Sequence, residues 1–426
     1  MSGRAVEGPG SAFRGELVAP GDKSLSHRAL LLGAMAEGVS RIRGLGPGRD
    51  VASTDRLVRT LGVEVAGDRY RSAGPAAWCP PVSVIDCGNS GTTLRLGAGA
   101  LAGRPFRSTL DGDASLRRRP MGRLVGPLME LGAVVVTSGT GTPPVSVHAP
   151  APLHGAEVTI GLSSAQVRSA FALAALQATG PSLIDSPPGF RDHTERWLEH
   201  FGLGAWFTET AFRIFPGRVP ATEYDIPGDP SSAAFAWVSA ALVPGATVRT
   251  EGVSLNPGRV GILEVLARMG AEVRSEVTDA IHGDPVGEVE VVGRELHGTE
   301  VGAELATAAL DELPLVGVLG MYGEGMTVVR DAADLRSKES DRIAATVDLV
   351  RSLGGEAEPT DDGFVVVGTG RPDGGIVESA GDHRIAMAAA VAATASTGPV
   401  RIVGAEVAGV SWPSFYDDLE ALWSSR

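Results

Sequence analysis

The sequence predicts an α/β protein of two similar domains, because one pattern of helices, glycines and strands recurs six times along its 426 residues. In one series of segments, an apolar helical run ends in a glycine and strand-like residues follow in most copies. Glycine directly after a helix is the usual left-handed C-cap, and β-branched residues favour strands. The glycines of this first series are Gly62, Gly132, Gly202, Gly270 and Gly354.

A second series of alanine-rich runs lies upstream of the first. The segments 165–178, 234–243 and 385–395 are apolar nearly all round, which predicts parallel helices buried in the middle of each domain. An α-solenoid and a doubly wound sheet are the alternatives, but strand content argues against the first and the lack of long apolar strands against the second. These runs end at Gly38, Gly103, Gly180, Gly245, Gly325 and Gly398, which we interpret as left-handed C-caps as well.

The six units divide into two domains of three, with the break near the polar stretch 217–228. We expect residues 21–224 to hold repeats one to three, and residues 1–20 with 225–426 to hold repeats four to six. If the inner helices run parallel within each domain, their N-termini converge on the cleft between the domains. We therefore expect the active site in that cleft.

Composition limits the class of function. An apolar content of 43% and a charged content of 21% are typical of a globular protein, and the net charge of −14 argues against a nucleic-acid partner. No run of about 18 apolar residues occurs, and the first residues lack the apolar part of a signal peptide. We expect a cytoplasmic monomer without a membrane partner. Cys79 and Cys87 are too few for a disulfide framework and lack metal-ligand spacing, so we expect no metal.

The starts of the six inner helices share capping side chains or small residues. For any one start, plain helix capping is the alternative to a binding role. Together, six helix N-termini present N–H donors and positive dipole ends to a multiply charged anion. The starts are 21–24, 88–93, 163–166, 228–232, 311–314 and 381–384.

Lys23 and Lys338 are the only lysines in the chain, whose other basic residues are arginines. A lysine can lose its proton when its environment lowers the pKa, whereas a guanidinium stays charged. Chance retention of two surface lysines is the alternative, but we predict that both line one reaction site. Asp311 and Glu339 could then donate or accept protons beside them. We expect His193 and His383 to be structural.

Nine segments of the sequence resemble the EPSP synthase branch of the enolpyruvyl transferase family. The resemblance covers nearly the whole chain, in the family's order. It implies two domains of three inverse βαβαββ repeats each, an inside-out α/β barrel fold. The matching segments are PGDKSLSHR, DCGNSGTT, GDASLRRRPM, SSAQVRSA, RDHTER, GDPSSAA, DELP, RSKESDR and GDHRIAMA.

The resemblance also implies the reaction, in which phosphoenolpyruvate gives its enolpyruvyl group to the 5-hydroxyl of shikimate 3-phosphate and phosphate leaves, without metal or organic cofactor. Asp311 would accept the hydroxyl proton, and Glu339 with Lys23 would handle the proton on C3. Residues implied for shikimate 3-phosphate are Lys23, Ser24, Arg28, Ser163, Ser164, Gln166, Arg191, Asp311 and Lys338. Residues implied for phosphoenolpyruvate are Lys23, Asn89, Gly91, Arg119, Gln166, Arg342 and Arg384.

Two positions depart from the family pattern. Phe190 replaces a hydroxyl residue that usually precedes Arg191, and 410–413 lacks the lysine of another branch. The first departure keeps open a paralogue that acts on a different hydroxyl acceptor. The related UDP-sugar enzyme typically has a cysteine in its loop, and 114–120 has none. A non-catalytic anion-binding protein is the remaining alternative, although it would be expected to lose Asp311 and Glu339.

Overall fold

The computed structural model describes residues 3–424, which form two compact units. Unit 1 contains residues 3–20, 228–279 and 285–424, and unit 2 contains Gly21–Pro227 with Ala280–Asp284. Each unit has its own core of buried apolar side chains. Within the described range, no helix combines the length and the apolar character needed to cross a membrane.

The strands of the described range form six sheets, three in each unit. Unit 1 has the sheets β22-β23-β1, β2-β15-β17-β16 and β18-β19-β21-β20, while unit 2 has β14-β3-β5-β4, β6-β7-β9-β8 and β10-β11-β13-β12. The strands are β1 (Gly3–Val6), β2 (Arg14–Leu17), β3 (Glu37–Arg43), β4 (Glu64–Ala66), β5 (Arg69–Ala73), β6 (Ile85–Asp86), β7 (Ser108–Asp111), β8 (Val134–Val136), β9 (Val145–His148), β10 (Glu157–Thr159), β11 (Ser182–Asp185), β12 (Gly204–Trp206), β13 (Phe212–Ile214), β14 (Glu223–Asp225), β15 (Thr247–Ser254), β16 (Glu272–Ile281), β17 (Asp284–Val292), β18 (Glu300–Val301), β19 (Met326–Val329), β20 (Glu356–Pro359), β21 (Phe364–Val367), β22 (Gly375–Glu378) and β23 (Val400–Val403).

The helices lie between these strands in a regular order. They are α1 (Lys23–Met35), α2 (Arg49–Thr60), α3 (Gly91–Leu101), α4 (Val125–Glu130), α5 (Ala165–Ala175), α6 (His193–His200), α7 (Pro230–Ala241), α8 (Gly261–Arg268), α9 (Ala303–Ala308), α10 (Leu313–Tyr322), α11 (Arg342–Ser352), α12 (His383–Ala392) and α13 (Phe415–Ser424).

The order of elements confirms the repeat. One repeat has the order β6-α3-β7-α4-β8-β9, in which β6 and β7 are parallel and β9 pairs antiparallel with both β7 and β8. The same order recurs as β10-α5-β11-α6-β12-β13, and with the additional α9 in the copy that starts at β18. Two copies take their first strand from elsewhere in the chain, since β2 pairs with β15 and β14 pairs with β3. The predicted α/β fold of inverse βαβαββ repeats is therefore confirmed.

The first helix of each repeat is buried on all sides, as in α1, α7 and α12. In unit 2, Gln166 of α5 bonds Thr92 near the start of α3, and Gln177 bonds the Ala100 carbonyl near its end. In unit 1, Arg384 bonds Asp311 before α10, and Tyr322 bonds the Ala392 carbonyl where α10 and α12 both end. These pairs of contacts show that the buried helices run parallel, as predicted.

The second helices of five repeats end as the first glycine series predicts. Each of these helices is followed by a C-cap residue and then by the predicted glycine in a left-handed conformation, with φ between +70° for Gly202 and +105° for Gly270. A side chain with a Cβ seldom adopts such a φ, which is why glycine occupies this position.

The second glycine series corrects our interpretation. Five of the buried helices end earlier, with C-caps at Ala36, Leu176, Leu242, Gly323 and Ala393, whereas α3 has its C-cap at Ala102, directly before Gly103. Only Gly38, Gly245 and Gly325 of the predicted glycines have positive φ, and Gly38 lies inside β3. The glycines of this series therefore mark the connection from helix to strand, at different distances from the last helical turn.

Candidate functional site

The start of α1 in unit 2 brings a basic residue to a capped helix terminus. The Asp22 carboxylate accepts a hydrogen bond from the Leu25 N–H at 2.8 Å, which fixes the first turn. The next residue, Lys23, has its Nζ 3.3 Å from Asp50 Oδ2 at the start of α2. Arg28, one turn further, donates from Nη1 to the Ser24 carbonyl at 2.9 Å. The motif therefore places two cations near one helix terminus.

Arg28 also joins α1 to the other side of unit 2. Its Nε donates to Thr194 Oγ1 on α6 and its Nη2 to Ser169 Oγ on α5, each at 2.8 Å. The two hydroxyls lie 2.7 Å apart, so the guanidinium is held at two points and stays 5% exposed. This geometry fixes a positive charge that a phosphate or carboxylate can approach.

The start of α3 carries the second part of the site. Ser90 caps the helix, and the neighbouring Asn89 links a cation to an anion, because its Oδ1 accepts from Arg119 Nη2 at 2.6 Å and its Nδ2 donates to Asp113 at 2.8 Å. A Cβ placed on Gly91 would lie 2.9 Å from Arg95 Nη1 and 3.3 Å from Arg119 Nη1. The absence of a side chain at Gly91 lets two guanidinium groups lie close to this helix terminus.

The start of α5 meets α3 through side chains. Ser164 caps α5, and two residues later Gln166 accepts from Arg95 Nη1 at 2.5 Å and donates to Thr92 at 2.8 Å. The hydroxyl of Ser163 is buried without a hydrogen-bond partner among the described residues. The structure thus places Ser163, Ser164 and Gln166 beside the α3 start.

Arg191 lies directly before α6, and the residues around it are held by buried pairs. His193 Nδ1 lies 2.8 Å from Asp284 Oδ2, and neither side chain is exposed. Phe190 covers a second pair: its ring centroid is 3.8 Å from the Arg168 guanidinium carbon, and Arg168 Nε donates to Glu195 at 2.6 Å. The aromatic residue that departs from the family pattern therefore packs on a buried ion pair.

Unit 1 contains a denser group of charges around Arg342, whose side chain is 2% exposed. This guanidinium contacts three carboxylates: Asp382 at 2.8 Å, Glu339 at 2.7 Å and Asp311 at 3.2 Å. Burial alone would lower the pKa of Arg342, but the three carboxylates raise it above its usual range. Arg342 is a fixed cation that aligns three acids.

Asp311 receives further cations from two other elements. Its carboxylate lies 3.8 Å from Lys338 Nζ and 3.8 Å from Arg384 Nη2, and its backbone carbonyl accepts from Arg384 Nη1 at 3.0 Å. Arg384 also bonds Glu312, which is buried. The structure therefore brings together the unit 1 residues predicted from the sequence, namely Asp311, Lys338, Glu339, Arg342 and Arg384.

Asp382 connects this group to α12. Its Oδ1 accepts from the Arg384 N–H at 2.9 Å and so caps the helix, while its Oδ2 accepts from Arg342. Burial by itself would raise the pKa of Asp382, but the charge and hydrogen bond of Arg342 lower it below its usual range. The capping residue thus stays ionised and holds two arginines in register.

Several partners in these groups were not predicted from the sequence. Asp50, Arg95 and Asp113 contact predicted residues, and Asp382 joins the unit 1 group. Arg95 has a signal in retrospect, since it follows Gly91 by four residues and so lies on the same helix face. Asp50 and Asp113 come from other elements, and nothing in their own segments marks them.

The cysteines and metal-ligand residues are separate from these groups. Cys79 and Cys87 are both free thiols, and burial raises the pKa of Cys87 to about 12. Across residues 3–424, no three His, Cys, Asp or Glu side chains are grouped in a way that could hold a metal ion.

Comparison with known proteins gives a consistent result. The family model described as EPSP synthase (3-phosphoshikimate 1-carboxyvinyltransferase) matches residues 8–419. A 3-phosphoshikimate 1-carboxyvinyltransferase from Halorhodospira halophila is 43% identical over 97% of this chain and 95% of its own length. One from Herpetosiphon aurantiacus is 43% identical over 95% of this chain and 96% of its own.

Solved structures show the same similarity. An EPSP synthase from Acinetobacter baumannii superposes with a TM-score of 0.86 at 36% identity, covering 98% of this chain and 97% of that one. The enolpyruvyl transferase NikO from Streptomyces tendae has a TM-score of 0.77 at 17% identity, covering 98% of this chain and 96% of that one. At that identity the second likeness concerns the fold alone.

Proposed function

The chain belongs to the EPSP synthase family, and from this premise we propose how its residues transfer the enolpyruvyl group of phosphoenolpyruvate to the 5-hydroxyl of shikimate 3-phosphate. The enzyme is a 3-phosphoshikimate 1-carboxyvinyltransferase of the shikimate pathway, by which cells make chorismate and aromatic amino acids. Both substrates are small anions, which suits an acidic protein whose cations are gathered at helix starts.

The reaction is an addition followed by an elimination. A proton joins C3 of phosphoenolpyruvate, and the 5-hydroxyl oxygen forms a bond to C2 while it loses its own proton. The tetrahedral intermediate then gives up a proton from C3 as the bond from C2 to the phosphate oxygen breaks. The protein must therefore supply one base for the hydroxyl and an acid that later acts as a base at C3.

Asp311 is our candidate for the base at the hydroxyl. Its carboxylate is held by Arg342 at 3.2 Å and lies near Lys338 and Arg384, so its orientation is fixed by three cations. Glu339 and Lys23 are the candidates at C3. Arg342 binds Glu339 at 2.7 Å, and Asp50 lies 3.3 Å from the Lys23 ammonium.

Two overlapping sets of residues bind the anionic substrates in this proposal. For shikimate 3-phosphate we propose Lys23, Ser24, Arg28, Ser163, Ser164, Gln166, Arg191, Asp311 and Lys338. For phosphoenolpyruvate we propose Lys23, Asn89, Gly91, Arg119, Gln166, Arg342 and Arg384. The contact of Arg119 with Asn89 and the cap at Ser90 support the second set, because they leave fixed donors at one helix start.

One observation supports this mechanism above the others: a buried arginine aligns Asp311 and Glu339 beside Lys338 and Arg384. A merely anion-binding protein needs the cations but has no use for two acids among them, since carboxylates repel an anionic ligand.

The test is release of inorganic phosphate from phosphoenolpyruvate with shikimate 3-phosphate as acceptor. We expect release only when both substrates are present, and loss of it in Asp311→Asn. Phosphate release with UDP-N-acetylglucosamine or another alcohol, and none with shikimate 3-phosphate, would contradict the assignment. Release that is equal in wild type and Asp311→Asn would remove Asp311 from the mechanism but keep the activity.

We also infer that the enzyme acts as a monomer in the cytoplasm, where its phosphorylated substrates are retained because a charged phosphate crosses lipid poorly. Light scattering coupled to size exclusion tests the first point, with an expected mass near the 43.8 kDa of one chain. A stable dimer at assay concentration would contradict it.

A further inference from the structure

A chain of buried hydrogen bonds joins three helices of unit 2 and has no part in the mechanism so far. His27 Nδ1 lies 2.7 Å from Thr54 Oγ1, and Thr54 Oγ1 lies 2.7 Å from Thr93 Oγ1. Thr93 in turn donates to Ser90 Oγ at 2.8 Å. None of these four side chains is exposed, so water cannot replace any partner.

This chain of hydrogen bonds lies beside the contact of Lys23 with Asp50. Lys23 and His27 are four residues apart on α1, and Asp50 and Thr54 are four residues apart on α2. On each helix the two residues therefore lie on the same face, one turn apart, and that face meets the other helix. The outer pair, Lys23 and Asp50, is partly exposed, whereas the pair of His27 and Thr54 is fully buried.

Thr93 extends this arrangement to α3. Its hydroxyl lies 3.3 Å from the Asp50 carbonyl oxygen, and its N–H donates to Ser90 Oγ at 3.1 Å in the helix cap. The cap residue is flanked by Asn89 and Gly91, which we assign to phosphoenolpyruvate. The position of the α3 start relative to Lys23 is thus set by hydrogen bonds through Thr54 and Thr93.

The imidazole of His27 suits this role because it stays neutral. Burial, together with the charges of Lys23 and Arg28, holds the pKa of His27 well below its ordinary value of 6.5. A neutral ring keeps one nitrogen as donor and one as acceptor, so its hydrogen bond to Thr54 persists across the physiological range.

The next residue, Arg28, faces different elements. It bonds the hydroxyls of Thr194 on α6 and Ser169 on α5, neither of which belongs to the hydrogen-bond chain of His27. Two adjacent residues of α1 therefore fix two different sides of unit 2.

We propose that His27, Thr54 and Thr93 are positioning residues for the phosphoenolpyruvate side of unit 2, and that they hold the start of α3, with Asn89 and Gly91, in place against α1 and α2. Ser169 and Thr194 have the corresponding task for Arg28 on the shikimate 3-phosphate side. This inference rests on the proposed function, because it uses the substrate assignments made there.

The test compares Michaelis constants for the two substrates. Thr54→Val keeps the shape of the side chain but removes its hydroxyl, and His27→Leu removes the ring nitrogens. We expect either change to raise KM for phosphoenolpyruvate by about tenfold, because a small displacement of a binding group is costly, and to leave KM for shikimate 3-phosphate within about twofold. A KM value does not depend on the fraction of chains that fold, so partial misfolding of one variant leaves the comparison intact.

Conservative variants and a matched network serve as controls. Thr54→Ser keeps the hydroxyl and His27→Asn places an amide where Nδ1 was, so both should restore most of the affinity for phosphoenolpyruvate. Ser169→Ala should show the opposite selectivity and raise KM for shikimate 3-phosphate. Ser40→Ala, which removes a buried hydroxyl outside both networks, should change neither value.

The outcomes separate this inference from the function on which it rests. A wild-type enzyme that releases no phosphate from the two substrates overturns the proposed function and the inference with it. An active wild type whose Thr54→Val and His27→Leu variants raise both KM values equally, or neither, overturns the inference alone. Failure of Thr54→Ser to restore the affinity also overturns it.

Discussion

Lys23 and Lys338 differ in what surrounds the ammonium group. Lys23 lies 3.3 Å from the carboxylate of Asp50, whereas Lys338 lies 3.8 Å from an acid that Arg342 also contacts. In the mechanism that we propose, Lys23 exchanges a proton with C3, while Lys338 only binds. The two lysines should therefore respond differently to the same substitution.

We predict that Lys23→Arg lowers kcat by at least about a hundredfold, because a guanidinium keeps the charge but cannot give up its proton at working pH. Steady-state kinetics with both substrates provide the measurement. In Lys338→Arg, the matched variant, the loss should lie mainly in KM for shikimate 3-phosphate. Full kcat in Lys23→Arg would remove this lysine from proton transfer.

His27 gives a prediction for stability against pH. Its pKa is lowered in the folded protein by burial and by the charges of Lys23 and Arg28, so the unfolded chain takes up a proton below pH 6.5 while the folded one does not. The free energy of unfolding should therefore fall as the pH decreases from 7 to 5, by up to about 1.4 kcal/mol per pH unit from this residue.

The measurement is urea unfolding of wild type and His27→Asn at pH 7.5, 6.5 and 5.5. The difference between the two free energies should shrink on acidification, because only the wild type has the histidine to protonate when unfolded. Parallel curves would mean that folding does not lower the pKa of His27.

At the scale of elements, the ends of the second helices give the clearest stability prediction. Gly354 follows α11 with φ of +86° and has space for a Cβ, whereas Gly126 lies in α4 without a positive φ and also has space. Gly354→Ala should lower the free energy of unfolding by about 1–2 kcal/mol from backbone strain alone. Gly126→Ala should raise the free energy of unfolding by about 0.5–1 kcal/mol, because alanine is the better helix former.

Chemical denaturation of both variants tests this pair. Because neither new methyl group meets a neighbour within 4 Å, packing cannot explain a difference between them. Equal effects at the two positions would contradict the assignment of Gly354 as a left-handed cap.

The elements also show what a sequence can and cannot predict. The ends of α2, α4, α6, α8 and α11 were predictable because one residue with a required φ fixes each of them. The ends of the buried helices were not, because the glycines that follow them lie at different distances from the C-cap, and only Gly38, Gly245 and Gly325 have positive φ. There the turn to the next strand ends the helix, and no single residue marks that position.

The same distinction applies to the site. Capping residues such as Ser90 and Ser164 were recognisable, because a cap lies within three residues of the groups that it binds, whereas for α1 the sequence suggested Ser24 or Ser26 and the structure has Asp22. The contacts of Asp50 with Lys23 and of Asp113 with Asn89 join segments 27 and 24 residues apart. Only the packing of helices and loops brings such pairs together, so local patterns do not reveal them.

At the scale of the whole molecule, the two cores are separate clusters of buried side chains. Leu31 on α1 and Leu319 on α10 are fully buried leucines on inner helices, one in each core. Leu31→Ala should destabilise unit 2 by about 2–5 kcal/mol, and Leu319→Ala should do the same to unit 1.

Hydrogen exchange measured by mass spectrometry can locate each effect. We expect Leu31→Ala to speed exchange in peptides from 21–227 and to leave peptides from 285–424 protected, with the reverse for Leu319→Ala. Faster exchange throughout the chain in both variants would mean that the cores unfold as one.

The strand pairing of the first residues has a consequence for synthesis. β1 pairs with Val400–Val403 and β2 with Thr247–Thr250, whereas every sheet of unit 2 is complete once Asp225 has been made. At about 5–20 residues per second, the ribosome needs roughly 20–80 seconds before β1 can meet its partner. β1 therefore stays without its partner strand until residues 400–403 have been made, and the charge of Arg4 disfavours its joining a strand of another molecule meanwhile.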